Sequence, residues 1–141
     1  MIGLQLYLEG RIESVYDIEA KITDSELEVM RVLWEAGMPV TVTQIKKTLY
    51  KTTKWNGDTI KTLLRRLCEK GAVSQEKREV YYYRPQVSSE AYGKFRTQSI
   101  IDKLYSGSAR DMIAALVRND QLRAQDIDEL RALFKVGATD E

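Results

Sequence analysis

The sequence predicts a mainly α-helical chain with a small β-hairpin, in which a helix-and-hairpin domain is followed by a helical C-terminal region. Three observations predict it. Apolar side chains recur at helical spacing in three consecutive segments between residues 24 and 71, each opened by a residue suited to cap a helix. Between residues 72 and 85 that period gives way to two short arms, the second rich in β-branched and aromatic residues, around a charged turn. From residue 88 onward helical spacing returns in three segments separated by Ser-Gly-Ser and Asn-Asp breaks. The boundaries that follow are an N-terminal extension over 1–20, a helix-and-hairpin domain over 21–87, a helical region over 88–135 and a tail over 136–141.

Residues 1–20 are the least regular part. Ile2, Leu4, Leu6 and Leu8 alternate with Gly3, Gln5 and Tyr7 at the period of a strand, and Gly10 ends the run; an edge strand and a disordered leader both fit. Thr23 or Asp24 then caps a first helix with Leu27, Met30, Leu33 and Trp34 on one face. Glu26 and Glu28 lie in its first turn, where the helix dipole favours acids, and it ends near Ala36-Gly37, ahead of Pro39. Thr41 with Gln44 three residues on is a capping-box pattern, opening a second helix through Ile45 and Leu49 with Lys46, Lys47 and Lys51 outside.

Asn56 caps the third helix. Its Ile60, Leu63, Leu64 and Leu67 fall on one side of a 3.6-residue helix, and Asp58, Lys61, Thr62 and Arg65 fall on the other, flanked by Thr59 and Arg66. Gly71 sits where a left-handed residue ends a helix. Ala72–Gln75 and Val80–Arg84 are the arms of the hairpin, Glu76-Lys77-Arg78-Glu79 its turn, and Pro85 its end. Ser88 or Ser89 opens a helix carrying Tyr92, Phe95, Ile101, Leu104 and Tyr105. Ser108 caps the next, with Met112, Ile113, Leu116 and Val117 on one face. The last, over Asp126–Lys135, aligns Ile127, Leu130, Leu133 and Phe134. Three such helices are too small to enclose a core of their own, so their apolar faces predict a partner, most simply a second copy of the chain. Leu104, Tyr105, Met112, Leu116, Ile127, Leu130 and Phe134 are the expected interface.

Composition narrows the function. The 141 residues are 43% hydrophobic and 30% charged, as in folded soluble proteins, and no apolar run approaches the ~20 residues of a membrane-spanning helix. The start lacks the cationic and small-residue features of a signal peptide, and the one cysteine, Cys68, has no internal partner, so the cytoplasm is the expected compartment and no direct membrane binding is expected. The absence of histidine removes the commonest general base and most zinc and copper designs. No nucleophile–base pair or phosphate-cradling glycine loop is present either, so no enzyme, catalytic residue, metal or cofactor is expected. Cys68 is expected to be a small, partly buried hydrophobe rather than a redox switch.

The charge is uneven beneath a net +1. Residues 21–87 carry 13 Lys/Arg against 8 Asp/Glu, whereas residues 1–20 carry 1 against 4 and residues 88–141 carry 8 against 9. Within 40–71 eight cations face only Asp58 and Glu69. Three helices and a hairpin, in that order and with that charge, give a winged helix-turn-helix: the third helix enters the major groove of DNA and the hairpin lies along the backbone. Lys61 or Arg65 would reach guanine N7 and O6, and Thr59 and Thr62 a thymine methyl or a phosphate. Lys46 stands beside them, and Arg66, Lys70, Lys77 and Arg78 would neutralise phosphates. One such helix gives too little specificity for a genome, and a dimer on two half-sites multiplies it. A winged helix used for protein contact is the alternative, but it would show an apolar patch where this helix shows Thr, Lys and Arg. Tyr81, Tyr82 and Tyr83 could stack on single-stranded bases, yet alternation sends Tyr82 to the opposite face, which favours ordinary packing in the hairpin.

Ile22-Thr23-Asp24-Ser25-Glu26-Leu27 through Trp34, Trp55 through Gly71, Asn119-Asp120-Gln121-Leu122 and Asp126-Ile127-Asp128-Glu129-Leu130 resemble the BlaI/MecI family of penicillinase and methicillin-resistance repressors over about residues 21–135. The resemblance implies a homodimeric repressor on an inverted-repeat operator ahead of β-lactam-resistance genes. It also implies a membrane sensor-metalloprotease that lifts repression by cutting the helix after the wing. Ser99-Ile100 matches the scissile position, although by its place in the helix Ile100 is expected chiefly as core. Three features depart from the family. Asp58 stands where a lysine is usual, which costs a phosphate contact and shifts base reading toward Thr59, Lys61 and Thr62. The tail Val136–Glu141 lacks the cysteines of copper-responsive relatives, which disfavours an answer to copper. The extension over residues 1–20 lies outside the family pattern, as a wrongly assigned start codon would leave it.

Overall fold

A computed structural model describes residues 18–140. The strand-like pattern of residues 2–8 lies outside the described residues. The chain divides between Phe95 and Arg96 into two units.

The first unit is built on three helices, α1 (Asp24–Ala36), α2 (Val42–Leu49) and α3 (Gly57–Glu69), followed by the strands β1 (Val73–Lys77) and β2 (Tyr81–Pro85). Each helix begins where its cap satisfies orphan amides. The Thr23 hydroxyl accepts from the Glu26 amide at 3.2 Å while the Glu26 carboxylate accepts from the Thr23 amide at 2.9 Å. Thr41 and Gln44 repeat the arrangement on α2 at 3.2 and 2.8 Å. The Asn56 side chain accepts from the Thr59 amide at 2.8 Å on α3. Gly37 and Gly71, at φ +67° and +83°, take the left-handed conformation past the ends of α1 and α3.

The helices converge on one core. Val29, Met30 and Leu33 of α1, Ile45 of α2, and Ile60, Leu64 and Leu67 of α3 are all buried. Each buried aliphatic of this size contributes about 1.5–3 kcal/mol relative to exposure. Trp34 closes one end: its indole Nε1 donates to the Val87 carbonyl at 2.8 Å, and its ring lies 5.7 Å from that of Tyr92.

The hairpin differs from its sequence expectation in register. Glu76 and Lys77 belong to β1, with Val73 opposite Pro85 and Lys77 opposite Tyr81, so the turn shrinks to residues 78–80. The Arg78 amide donates to the Val80 carbonyl at 3.0 Å across it. Cross-strand pairing decided this, since it extends as far as backbone partners are available. Val40 adds a third extended piece: its amide donates to the Tyr83 carbonyl at 3.0 Å and its carbonyl accepts from the Tyr83 amide at 2.8 Å. That bridge ties the wing to the turn between α1 and α2.

Helix α4 (Ser89–Leu104) follows the hairpin, and α5 (Ala109–Arg118) and α6 (Ala124–Asp140) complete the chain. Ser106 and Gly107, at φ +50° and +83°, break the chain between α4 and α5, and the Ser108 hydroxyl caps α5 by accepting from the Asp111 amide at 3.1 Å. Helix α6 starts two residues earlier than the sequence pattern indicates and continues past Lys135 to Asp140. Ile100 departs from expectation. It is 40% exposed, and its neighbour Ile101 is the buried one; adjacent helical residues point 100° apart, so only one of the two can face inward.

Candidate nucleic-acid interface

Helix α3 presents opposite chemistries on its two sides. Ile60, Leu63, Leu64 and Leu67 are buried, which fixes the rotation of the helix and turns Asp58, Lys61, Arg65 and Arg66 to the outside. Thr59 and Thr62 are half-buried beside them. The Thr62 hydroxyl donates to the Asp58 carbonyl one turn back at 3.0 Å, which commits its proton to the helix and leaves the oxygen only as an acceptor. Arg65 donates to the Glu69 carboxylate at 2.9 Å. Both side chains are 62% exposed, so the pair holds the guanidinium only weakly and leaves it able to exchange partners. Lys61 and Arg66 have no ion-pair partner among the described residues.

The N-terminal end of α2 and the hairpin complete the face. Lys46 on α2 and Lys61 and Arg65 on α3 line one cleft of about 1080 Å³, with Val80 and Tyr81 of the wing across it. Thr41 and Thr43, at the amide-rich end of α2, line it too. Neither was legible as part of this face in the sequence, although the capping box at Thr41 marks where the amide end of α2 lies. The wing's own cations rest on tyrosine rings: Lys77 stands 6.0 Å from the Tyr81 centroid and Arg78 4.7 Å from that of Tyr82. Arg78 also meets Glu76 at 3.1 Å. Tyr83 turns inward and is buried, and Tyr82 lies on the opposite face, so the three tyrosines form no continuous stacking platform.

Lys70 is not on this face, contrary to its expected place on a phosphate. Its ammonium donates to both carboxylate oxygens of Glu26, 2.8 Å to Oε2, and to the Lys21 carbonyl at 2.7 Å. Glu26, whose side chain is 1% exposed, accepts this cation and the Thr23 amide together. The end of α3 is thereby fastened to the start of α1. Cys68 is half-buried against the cleft, and burial, followed by the neighbouring Glu69 charge, pushes its thiol above the ordinary range. Such a thiol is a poor nucleophile. Burial, then Cys68 and Tyr81, likewise raises the Tyr83 phenol.

In the second unit the residues expected at an interface are not enclosed. Leu104, Leu130 and Phe134 are exposed and Tyr105, Met112, Leu116 and Ile127 half-buried, so α5 has a strongly apolar side but no buried residue. Ser99 is half-buried within α4, next to the exposed Ile100. Among the described residues no helix is long and apolar enough to cross a membrane, and no cluster of His, Cys, Asp or Glu suits a metal ion.

A helix backed by a core and faced with hydroxyls and cations, preceded by a capped helix and followed by a cationic hairpin, defines a winged helix-turn-helix DNA-binding protein. The penicillinase repressor family matches residues 22–135, and the chain belongs to that family of transcriptional repressors. It is 35% identical to the penicillinase repressor of Bacillus licheniformis over 116 residues, covering 82% of this chain and 90% of that one. It is 27% identical over 115 residues to the methicillin resistance regulatory protein MecI of Mammaliicoccus sciuri, covering 81% and 93%. The solution structure of the DNA-binding domain of the repressor BlaI is 38% identical, covers 51% of this chain and 88% of that one, and superposes with a TM-score of 0.46.

Proposed function

We propose that this chain is a cytoplasmic homodimeric repressor that holds an inverted-repeat operator ahead of β-lactam-resistance genes. The observation that carries the proposal is the outer face of α3, where Thr59, Lys61, Thr62, Arg65 and Arg66 stand on a helix rotated and fixed by four buried aliphatics. Lys61 and Arg65 supply donors for guanine edges, Thr59 meets a thymine methyl or a phosphate, and Thr62, whose hydroxyl proton is committed to the Asp58 carbonyl, offers its methyl group to a thymine methyl. Lys46, Arg66, Lys77 and Arg78 supply charge for the backbone. The uncovered apolar faces of α5 and α6 supply the means of pairing two copies, so that two recognition helices read two half-sites. In release, a membrane sensor-metalloprotease cuts Ser99–Ile100. The exposed Ile100 side chain favours access, and the surrounding turn of α4 has to unwind first.

Titration of palindromic duplexes at several salt concentrations tests the operator step. Affinity should fall steeply with salt, by about 0.9 log units per log unit for each phosphate neutralised. It should collapse in the Lys61→Ala/Arg65→Ala double variant. A flat salt slope for the wild-type chain, or equal affinity for scrambled duplex, refutes operator binding. For the release step, mass spectrometry of the chain from β-lactam-treated cells should find a fragment beginning at Ile100; intact chain throughout removes the proteolytic step.

A further inference from the structure

Asp58 is an acid on the face that approaches a polyanion, and its setting does not neutralise it. It occupies the first turn of α3, is exposed, and has no ion-pair partner among the described residues, whereas Glu69 on the same side is bound to Arg65 at 2.9 Å. Four and seven residues on, Thr62 and Arg65 follow on the same side of the helix, so the exposed Asp58, the half-buried Thr62 and the exposed Arg65 form one row about 10 Å long. Thr62 spends its hydroxyl proton on the Asp58 carbonyl at 3.0 Å, which makes the N-terminal half of the row acceptor-only. Residues near the N-terminus of a recognition helix are the ones that reach base edges.

We propose that Asp58 is a specificity-determining residue that selects cytosine at one position of each half-site, resting on the operator-binding proposal above. Only cytosine N4 and adenine N6 offer hydrogens to a carboxylate in the major groove; guanine presents N7 and O6 acceptors, and thymine O4 and a methyl. The adenine amine is flanked on its own base by the acceptor N7, which repels the carboxylate, whereas the cytosine amine is flanked by a C–H. Cytosine is therefore the base that fits. The same charge repels phosphates, so Asp58 weakens binding to non-matching duplex and widens the gap between right and wrong sites.

The test uses the full chain with a randomised palindromic duplex library, sequencing what is retained by wild type, Asp58→Ala and Asp58→Asn. Wild type should enrich cytosine at one position per half-site, with a discrimination of about 5- to 150-fold. Asp58→Ala should lose that preference, keep the rest of the motif, and bind scrambled duplex more tightly than wild type. Asp58→Asn should move the preference to adenine, whose N6 and N7 match a side-chain amide. An unchanged motif in Asp58→Ala overturns the proposal, and if the variant also melts lower, Asp58 serves only the helix dipole. Failure of wild type to enrich any motif overturns operator reading itself, and this inference with it.

Discussion

Replacing Lys70 by Met should destabilise the domain rather than act on DNA recognition directly. The substitution keeps a side chain of similar length but removes the cation from a Glu26 carboxylate that is 1% exposed, leaving it the hydrogen bond from the Thr23 amide at 2.9 Å. Breaking a buried ion pair by deleting one member costs about 3–5 kcal/mol, because the survivor stays charged and desolvated. The Lys70 side chain is itself 24% exposed, which lets water reach the vacated end and places the expected loss near the lower figure, about 3 kcal/mol. That is a large share of the stability of a domain worth about 0.05–0.15 kcal/mol per residue. The melting temperature should fall by more than about 10 °C, read by circular dichroism. The Glu26→Gln/Lys70→Met double variant should recover most of the loss, since the amide oxygen still caps Thr23 and no charge is stranded. A phosphate-contacting Lys70 would behave differently, with an unchanged melt and a salt slope for duplex binding shallower by about one. That result, or a loss below about 1 kcal/mol, refutes the clamp.

Other outcomes test the remaining parts. Leu130→Asp and Leu116→Asp should each yield monomers with weakened operator affinity, and an unchanged dimer mass by light scattering would remove α5 and α6 from the interface. Gly71→Ala should cost about 1–2 kcal/mol in urea melts, because it forces a β-carbon into a residue at φ +83°, and a neutral result would mean the loop relaxes freely. Cys68 should react with an alkylating reagent more slowly than the same cysteine in urea-unfolded chain at neutral pH. Its raised thiol also makes its contribution to stability intact below the unfolded pKa and lost as pH rises through the folded one. Equal labelling rates in the two states would show that the thiol is not shielded.

Most of the first unit was legible because its signals are local. The capping boxes at Thr23 and Thr41, the Asn56 cap, the glycines after α1 and α3, and the four-aliphatic stripe of α3 all depend on residues within a turn or two of one another. The same periodicity that buries Ile60, Leu63, Leu64 and Leu67 dictates that Lys61 and Arg65 face out, so the composition of the candidate DNA face is legible in the sequence. Family membership followed from the same segments, since residues 22–135 match as one pattern.

What remained hidden depends on partners far apart in the chain. Glu26 looked like an acid placed for a helix dipole and Lys70 like a cation for a phosphate, and only folding brought residues 44 positions apart together as a clamp. The Val40–Tyr83 bridge and the register of the hairpin are likewise matters of which backbone groups meet across space, which local preference does not determine. Side-chain chemistry and helical period settled by themselves that this chain carries a core-backed helix with a cationic outer face. Tertiary contacts decided which of its charges are free to face DNA: Lys70 is committed to Glu26 and Arg65 loosely shared with Glu69, while Lys61 and Asp58 stand unpaired among the described residues. A charge's availability depends on what lies within a few ångströms, and sequence spacing fixes that only within one helix.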